Sequence, residues 1–164
     1  MTEIRDYRPE LDAPGVRACL VELQDHERAL EPALIAGDAM ADAHLAHLVE
    51  RCAEYNGAIL VAAEAGPVVG MVCVWATVPP HGPDDVPLDH AYVSDLAVLA
   101  AHRARGIGRL LLARAEAFAR ERGAATLRVA VRTGNAAARR LYAAAGFADD
   151  RIELVKPLAA PRSA

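Results

Sequence analysis

The sequence predicts an α/β domain: a mixed, mostly antiparallel sheet with helices on both faces. Three features point there. Helical and strand-like periodicities follow one another in the order β-α-α-β-β-β-α-β-α-β. The strand-like runs cluster in the middle of the chain, with helical patterns on either side to cover a sheet. The chain has 164 residues, 54% hydrophobic and 24% charged, the size and composition of one packed domain. That domain is expected over residues 1–158, with 159–164 as a flexible tail.

The first strand is expected in TEIRDYRP, closed by Pro9. A helix follows in APGVRACLVELQDHERAL, where Val16, Leu20 and Leu23 keep helical spacing and Pro14 suits a first turn. After a break at Pro32 and Gly37, ADAHLAHLVERCAEY is a second helix with Leu45, Leu48, Val49 and Cys52 on one stripe, ended by Asn56-Gly57. GAILVAAEAG and VVGMVCVWATV form a hairpin about Ala65-Gly66-Pro67. A loop dense in Pro, Gly and Asp leads to the central strand HAYVSDLAVL. IGRLLLARAEAFARERG is a helix with Ile107, Leu110, Leu111, Ala115 and Phe118 inward and Gly123 as its stop. TLRVAVR alternates as a strand, NAAARRLYAAAGF is a short helix capped by Asn135, and RIELVKPL is expected to add a last strand.

The formal net charge of −4 argues against general nucleic-acid binding, which needs a basic surface. The charged start MTEIRDYRPE lacks a signal-peptide core, and no run reaches the roughly 18 apolar residues of a membrane span. Cys19, Cys52 and Cys73 follow no zinc or thioredoxin spacing. A reduced, cytoplasmic setting without nucleic-acid or membrane partners is the expectation.

HRARGIG, residues 102–108, stands between the central strand and a helix start. Glycine lets backbone approach a ligand, and a helix start presents free N–H groups to an anion. A P-loop lysine is missing, and the third glycine of a dinucleotide fingerprint is replaced by Leu111. What remains is a tight loop, Arg103-Ala104-Arg105-Gly106-Ile107-Gly108, suited to a pyrophosphate, or else a plain turn with solvated arginines.

The next strand is followed by Asn135-x-x-Ala138-x-x-Leu141-Tyr142-x-x-x-Gly146-Phe147. Together, Arg103-x-x-Gly106-x-Gly108 and this second stretch resemble the two motifs of the GNAT superfamily of N-acetyltransferases. The specific motifs lie in 92–147, and element order extends the likeness over about 3–157. Two departures stand out. Ala104 replaces a common glycine, so its backbone is expected to avoid left-handed geometry. Ser94-Asp95 replaces a common Glu-Asp, which leaves the general base open.

The resemblance implies a GNAT-like fold and acetyl-CoA as co-substrate, with no metal. The pyrophosphate would rest on backbone from Ala104 to Arg109, helped by Arg103, Arg105, Asn135 and Arg139. The pantetheine amides would pair with backbone of Leu96, Ala97 and Val98, beside a bulge that splays this strand from its neighbour. An alkylamine with pKa about 10 must lose a proton before it attacks a thioester. Asp95 is the candidate base or ammonium anchor, the Val98 N–H the oxyanion donor, and Tyr142 the acid toward the departing thiolate. Direct attack in a ternary complex is expected; Cys73 lacks a nearby His partner for a covalent route.

The acceptor would be a small amine, such as a polyamine or amino acid, with a protein N-terminus or Lys as the alternative. A non-catalytic acyl-CoA sensor is the rival outside enzymology. Glu27 and Glu31, with Asp84, Asp85 and Asp89, would flank the acceptor mouth, and Trp75 would line it; against this stand solvated carboxylates and a core tryptophan. Arg128 and Arg132 either hold anionic ligand groups or face water. His44 and His47 are read as surface histidines. A homodimer is a family-level expectation.

Overall fold

The computed structural model describes residues 1–86, 88–156 and 158. Its elements are β1 (Thr2–Asp6), α1 (Pro9–Leu30), α2 (Gly37–Glu54), β2 (Ala58–Glu64), β3 (Val68–Val78), β4 (His90–Val98), a single 3₁₀ turn at Ala100–His102, α3 (Ile107–Glu121), β5 (Leu127–Val129) and α4 (Ala136–Ala144). The five strands make one sheet in chain order, with β4 and β5 parallel and every other neighbouring pair antiparallel. The expected α/β architecture is therefore present.

Period-two alternation sorts the strands between two cores. Leu60, Ala62, Val72, Val74 and Val93 pack against Ile107, Leu111, Leu112, Ala115 and Phe118 of α3. Ile59, Val61, Met71, Cys73 and Ala97 pack against Val16, Cys19 and Leu20 of α1 and Ala41 and Leu48 of α2. Helices thus cover both faces. Two stripe residues face outward: Val49 and Leu110 are exposed, and Leu112 takes the inward place on α3.

The helices begin earlier than their apolar stripes suggest. Helix α1 starts at Pro9, where the missing N–H costs nothing, and carries Pro14 within it. Helix α2 starts at Gly37, packed so closely on α1 that an added Cβ would overlap the Val21 carbonyl oxygen.

Among the described residues, the expected last strand does not form. Residues 151–156 lie outside regular structure, with Ile152, Leu154 and Val155 exposed. The edge it would join, β5, runs only from Leu127 to Val129, too short a ladder to offset the cost of ordering that segment. The proposed tail at 159–164 lies outside the described residues.

The feature that positions the site is an irregularity in β4. Across the β3–β4 ladder Cys73 faces Asp95 but Val74 faces Val93, so Ser94 is an extra residue, a β-bulge. On the other edge β4 pairs with β5 only at Ala91, Tyr92 and Val93. Beyond the bulge the two strands part. The bulge therefore sits where the resemblance implied it.

Candidate active site

The parting exposes the backbone of Leu96 and Val98. The Leu99 N–H donates to the Val69 carbonyl at 3.0 Å, and Met71 lies opposite Ala97. Hydrogen-bonded and non-bonded pairs alternate along an antiparallel ladder. Ala97 therefore turns its polar backbone toward β3, while Leu96 and Val98 turn theirs toward the gap. The Val98 carbonyl already accepts from Arg103 Nε at 2.8 Å. The Val98 N–H and both polar groups of Leu96 remain free to pair with an extended ligand laid in as an extra strand.

At the end of β4 the chain turns into α3 through residues 99–106. The first bond of α3 runs from the Leu110 N–H to the Gly106 carbonyl at 3.1 Å. Among the described residues, the N–H groups of Ala104, Arg105, Gly106, Ile107, Gly108 and Arg109 have no protein acceptor, and no side chain caps the helix. Free donors at the positive end of a helix dipole are an anion site. Gly106, the N-cap, has φ 81°, and an added Cβ there would meet nothing within 4 Å. Ile107 contributes backbone alone, since its side chain is buried under the sheet.

Ala104 corrects an expectation. Its φ is 59°, in the left-handed region despite its Cβ. Its neighbours hold it there: Arg103 is tied to Val98 and lies 3.2 Å from Glu22, and Arg105 is held by Glu64 at 2.9 Å. The strain is removable. Ala104→Gly should raise stability by about 0.5–1 kcal/mol, relief of the left-handed Cβ outweighing the entropy glycine adds to the unfolded chain. A denaturant midpoint that moves up at constant slope checks this; a fall contradicts it.

The arginines of the loop are thus mostly engaged within the protein. Arg105 also contacts His102 Nδ1 at 3.0 Å, beside Glu64, whose carboxyl is held below its ordinary pKa by Thr2, Arg105 and His102. Arg109 is exposed on the first turn of α3. Arg139 lies 3.4 Å from Asp149. Asn135 Oδ1 caps α4 by accepting from the Ala138 N–H at 3.1 Å, and its amide reaches Glu27 at 3.4 Å.

Helix α4 brings Tyr142 up against Phe147, with ring centroids 5.7 Å apart. Burial first, then the negative charges of Asp95 and Glu27 and the neighbouring Tyr92, push the Tyr142 hydroxyl up to about 12. It is protonated at any working pH. The charges of Asp95 and Glu27 are thus both felt at Tyr142.

Asp95, on the bulge, is 9% exposed and accepts from His44 Nε2 at 2.8 Å. The surface position expected of His44 is thus corrected: its side chain is 29% exposed and bonded to Asp95. The spacing of Ala41, His44 and Leu48 carried the signal: these positions share one helical stripe, and Ala41 and Leu48 are fully buried. Asp95 raises the His44 pKa above 6.5 by hydrogen bond and charge, against the opposing effect of burial.

The remaining candidates separate. Glu27 is bound by Arg132 at 2.6 Å as well as by Asn135. Trp75 stacks on Tyr92 at 5.7 Å and meets Tyr55 at the same distance, and its buried Nε1 has no partner. Asp85 accepts from the Val86 N–H at 2.8 Å and lies 3.9 Å from Arg128, near the start of β4; these contacts, led by its backbone hydrogen bonds, hold its carboxyl below the usual range. Asp84 lies beside it, at Gly82, 2.9 Å from where a Cβ would stand. The structure joins Asp85 to His81 and Arg128 rather than to Asp95.

No helix among the described residues is long and apolar enough to cross a membrane.

Comparison with known proteins completes the picture. The acetyltransferase (GNAT) family matches residues 21–147. Streptothricin acetyltransferase of Streptomyces lavendulae is 46% identical over 56 residues, 34% of this chain and 30% of that protein. The chain thus matches under a third of the length of this curated relative. A GCN5-related N-acetyltransferase from Ralstonia eutropha JMP134 superposes with a TM-score of 0.69 at 25% identity, over 96% of this chain and 99% of that one. An aminoglycoside N-acetyltransferase, AAC(6')-Iy, solved with CoA, superposes with a TM-score of 0.68 at 19% identity, over 97% and 96% of the two chains.

Proposed function

The chain belongs to the acetyltransferase (GNAT) family, and on that premise we propose that it moves an acetyl group from acetyl-CoA to a primary amine by direct attack in a ternary complex. One observation carries the reading: the unpaired N–H groups of residues 104–109 at the start of α3, in line with the open backbone edge of Leu96 and Val98. Coenzyme A fits this surface. Its diphosphate needs clustered donors, and its two pantetheine amides need a strand edge. Bound as acetyl-CoA, it would supply the activated thioester.

The protein's own groups then divide the work. The loop N–H groups bind the diphosphate, with Arg109 and Arg139 at the rim. The Val98 N–H stabilises the developing oxyanion. Tyr142, with its hydroxyl at about 12, lies further above a thiol of about 8.5 than an ordinary phenol does. Its main contribution is a hydrogen bond to the departing sulfur. Asp95 supplies the negative charge that draws in an acceptor ammonium.

A small-molecule amine is the favoured acceptor. The class includes streptothricin and the aminoglycosides, after which the two relatives above are named. The test is a panel of polyamines, amino acids, aminoglycosides and peptide N-termini incubated with acetyl-CoA, reading thiol release. Release with the small amines is expected. Release with peptides alone would move the assignment to protein acetylation, and CoA binding without release on any amine would make the chain an acyl-CoA sensor.

A further inference from the structure

We propose that His44, held in place by Asp95, is the base that takes the acceptor's proton, with Asp95 as its positioning residue. The inference rests on the acetyl-transfer reading and assigns within it a group that the two sequence motifs do not contain.

Geometry comes first. A carboxylate only accepts hydrogen bonds, so the 2.8 Å contact from His44 Nε2 to Asp95 Oδ1 puts the ring proton on Nε2. In the neutral ring Nδ1 is then the unprotonated nitrogen, with a lone pair to offer. Asp95 is 9% exposed and His44 29%. The carboxylate is enclosed, while the ring keeps an opening to solvent through which an acceptor can reach it. Asp95 also stands immediately before Leu96, where the strand edge opens, and its charge is felt at the Tyr142 hydroxyl. Asp95 therefore ties the base to the start of the open strand edge.

A buried carboxylate is a poor base on its own here, because one oxygen is already committed to His44. An imidazole whose proton affinity that carboxylate raises is a stronger base than a free one. The other titratable groups around the pair are His47, stacked at 6.3 Å on the solvent side of α2, and Cys52 of α2 with Cys73 of β3, whose sulfurs lie 3.6 Å apart. Tyr92 of β4 and Tyr142 of α4 also feel the Asp95 charge, and Glu27 of α1 acts on Tyr142. Among the groups named, the His44 imidazole is the one that bonds Asp95 and keeps a ring nitrogen able to accept a proton.

His44 Nδ1 takes one proton from the acceptor ammonium. The freed nitrogen pair forms the C–N bond as the carbonyl π pair moves onto oxygen under the Val98 N–H. On collapse the C–S bond breaks and its pair goes to sulfur. The nitrogen's second proton goes to the sulfur, which the Tyr142 hydroxyl holds by a hydrogen bond as it departs. His44 returns its proton to solvent. The products are the acetamide, free thiol and one proton.

The test combines NMR with pH–rate profiles. In the protein without substrates, the His44 ring signal, identified by its loss in His44→Gln, should titrate above pH 6.5, and in Asp95→Asn its midpoint should fall. The acidic limb of kcat/KM for the acceptor should share the wild-type midpoint and move with it in Asp95→Asn. His44→Gln should lose that limb and about 100-fold in kcat, with KM for acetyl-CoA within about twofold, while the exposed neighbour variant His47→Gln keeps both. An active wild type whose kcat and limb are unchanged in His44→Gln overturns the assignment. Should His44→Gln fail to fold, a limb that stays put in Asp95→Asn overturns it equally. A wild type that releases thiol with no amine fails earlier, at the transfer reading itself, and leaves the NMR midpoint as it was.

Discussion

Tyr142→Phe should lower kcat by about 1,000-fold while CoA affinity stays within about twofold of wild type. The size follows from general-acid and hydrogen-bond assistance to a leaving group, worth about 10²–10⁴ in rate. The specificity follows from where the hydroxyl sits. It is buried beside Phe147 and raised to about 12 by burial and by the charges of Asp95, Glu27 and Tyr92. A phenol in that setting contributes little to holding a ground-state thioester, and most when charge builds on sulfur. Phenylalanine keeps the ring packing and removes the donor alone. Stopped-flow or steady-state rates together with calorimetric CoA binding separate the two effects. An unchanged kcat would remove Tyr142 from the chemistry; an equal loss of affinity would make it a binding residue.

Gly106→Val should do the opposite: weaken CoA binding by about two orders of magnitude while kcat at saturation falls only a few-fold. Gly106 has φ 81°, and a β-branched residue is a severe outlier there. The added Cβ has nothing to strike within 4 Å in the protein, so the penalty falls on the loop's conformation and on the space reserved for the ligand. Hydrogen bonds to a charged group contribute about 1.5–3 kcal/mol each. At the lower end of that range, misdirecting two of the loop N–H groups costs about 3 kcal/mol, about 150-fold in Kd. An affinity unchanged from wild type would show that the diphosphate binds elsewhere.

How much of this was legible in the chain depends on how local each feature is. Gly106 in the turn before α3 and Asn135 as the cap of α4 are readable because each belongs to a single loop or helix turn. The alternation of Val72 and Val74 against Met71 and Cys73 gave the two-faced sheet. Relations between distant segments were hidden. The Ser94 bulge exists only relative to the register of β3, and the free edge of Leu96 and Val98 only because β5 stops pairing at Val93. Arg103 and Arg105 look like free cations in the sequence until Glu22 and Glu64 arrive from elsewhere in the fold. His44 and Asp95 are 51 positions apart, and nothing in either neighbourhood announces the other. Ala104 failed for a different reason: the αL penalty is small enough for surrounding contacts to override it. The last strand failed because alternation describes what a segment can pair with, and β5 offers it only Leu127–Val129.

A diphosphate bound on the backbone between β4 and α3 would show most directly in amide chemical shifts recorded during titration with coenzyme A. The N–H signals of Ala104 through Arg109 should move downfield and gain exchange protection, with the Leu96 and Val98 amides following. Unmoved signals there, alongside shifts clustered on another surface, would contradict it.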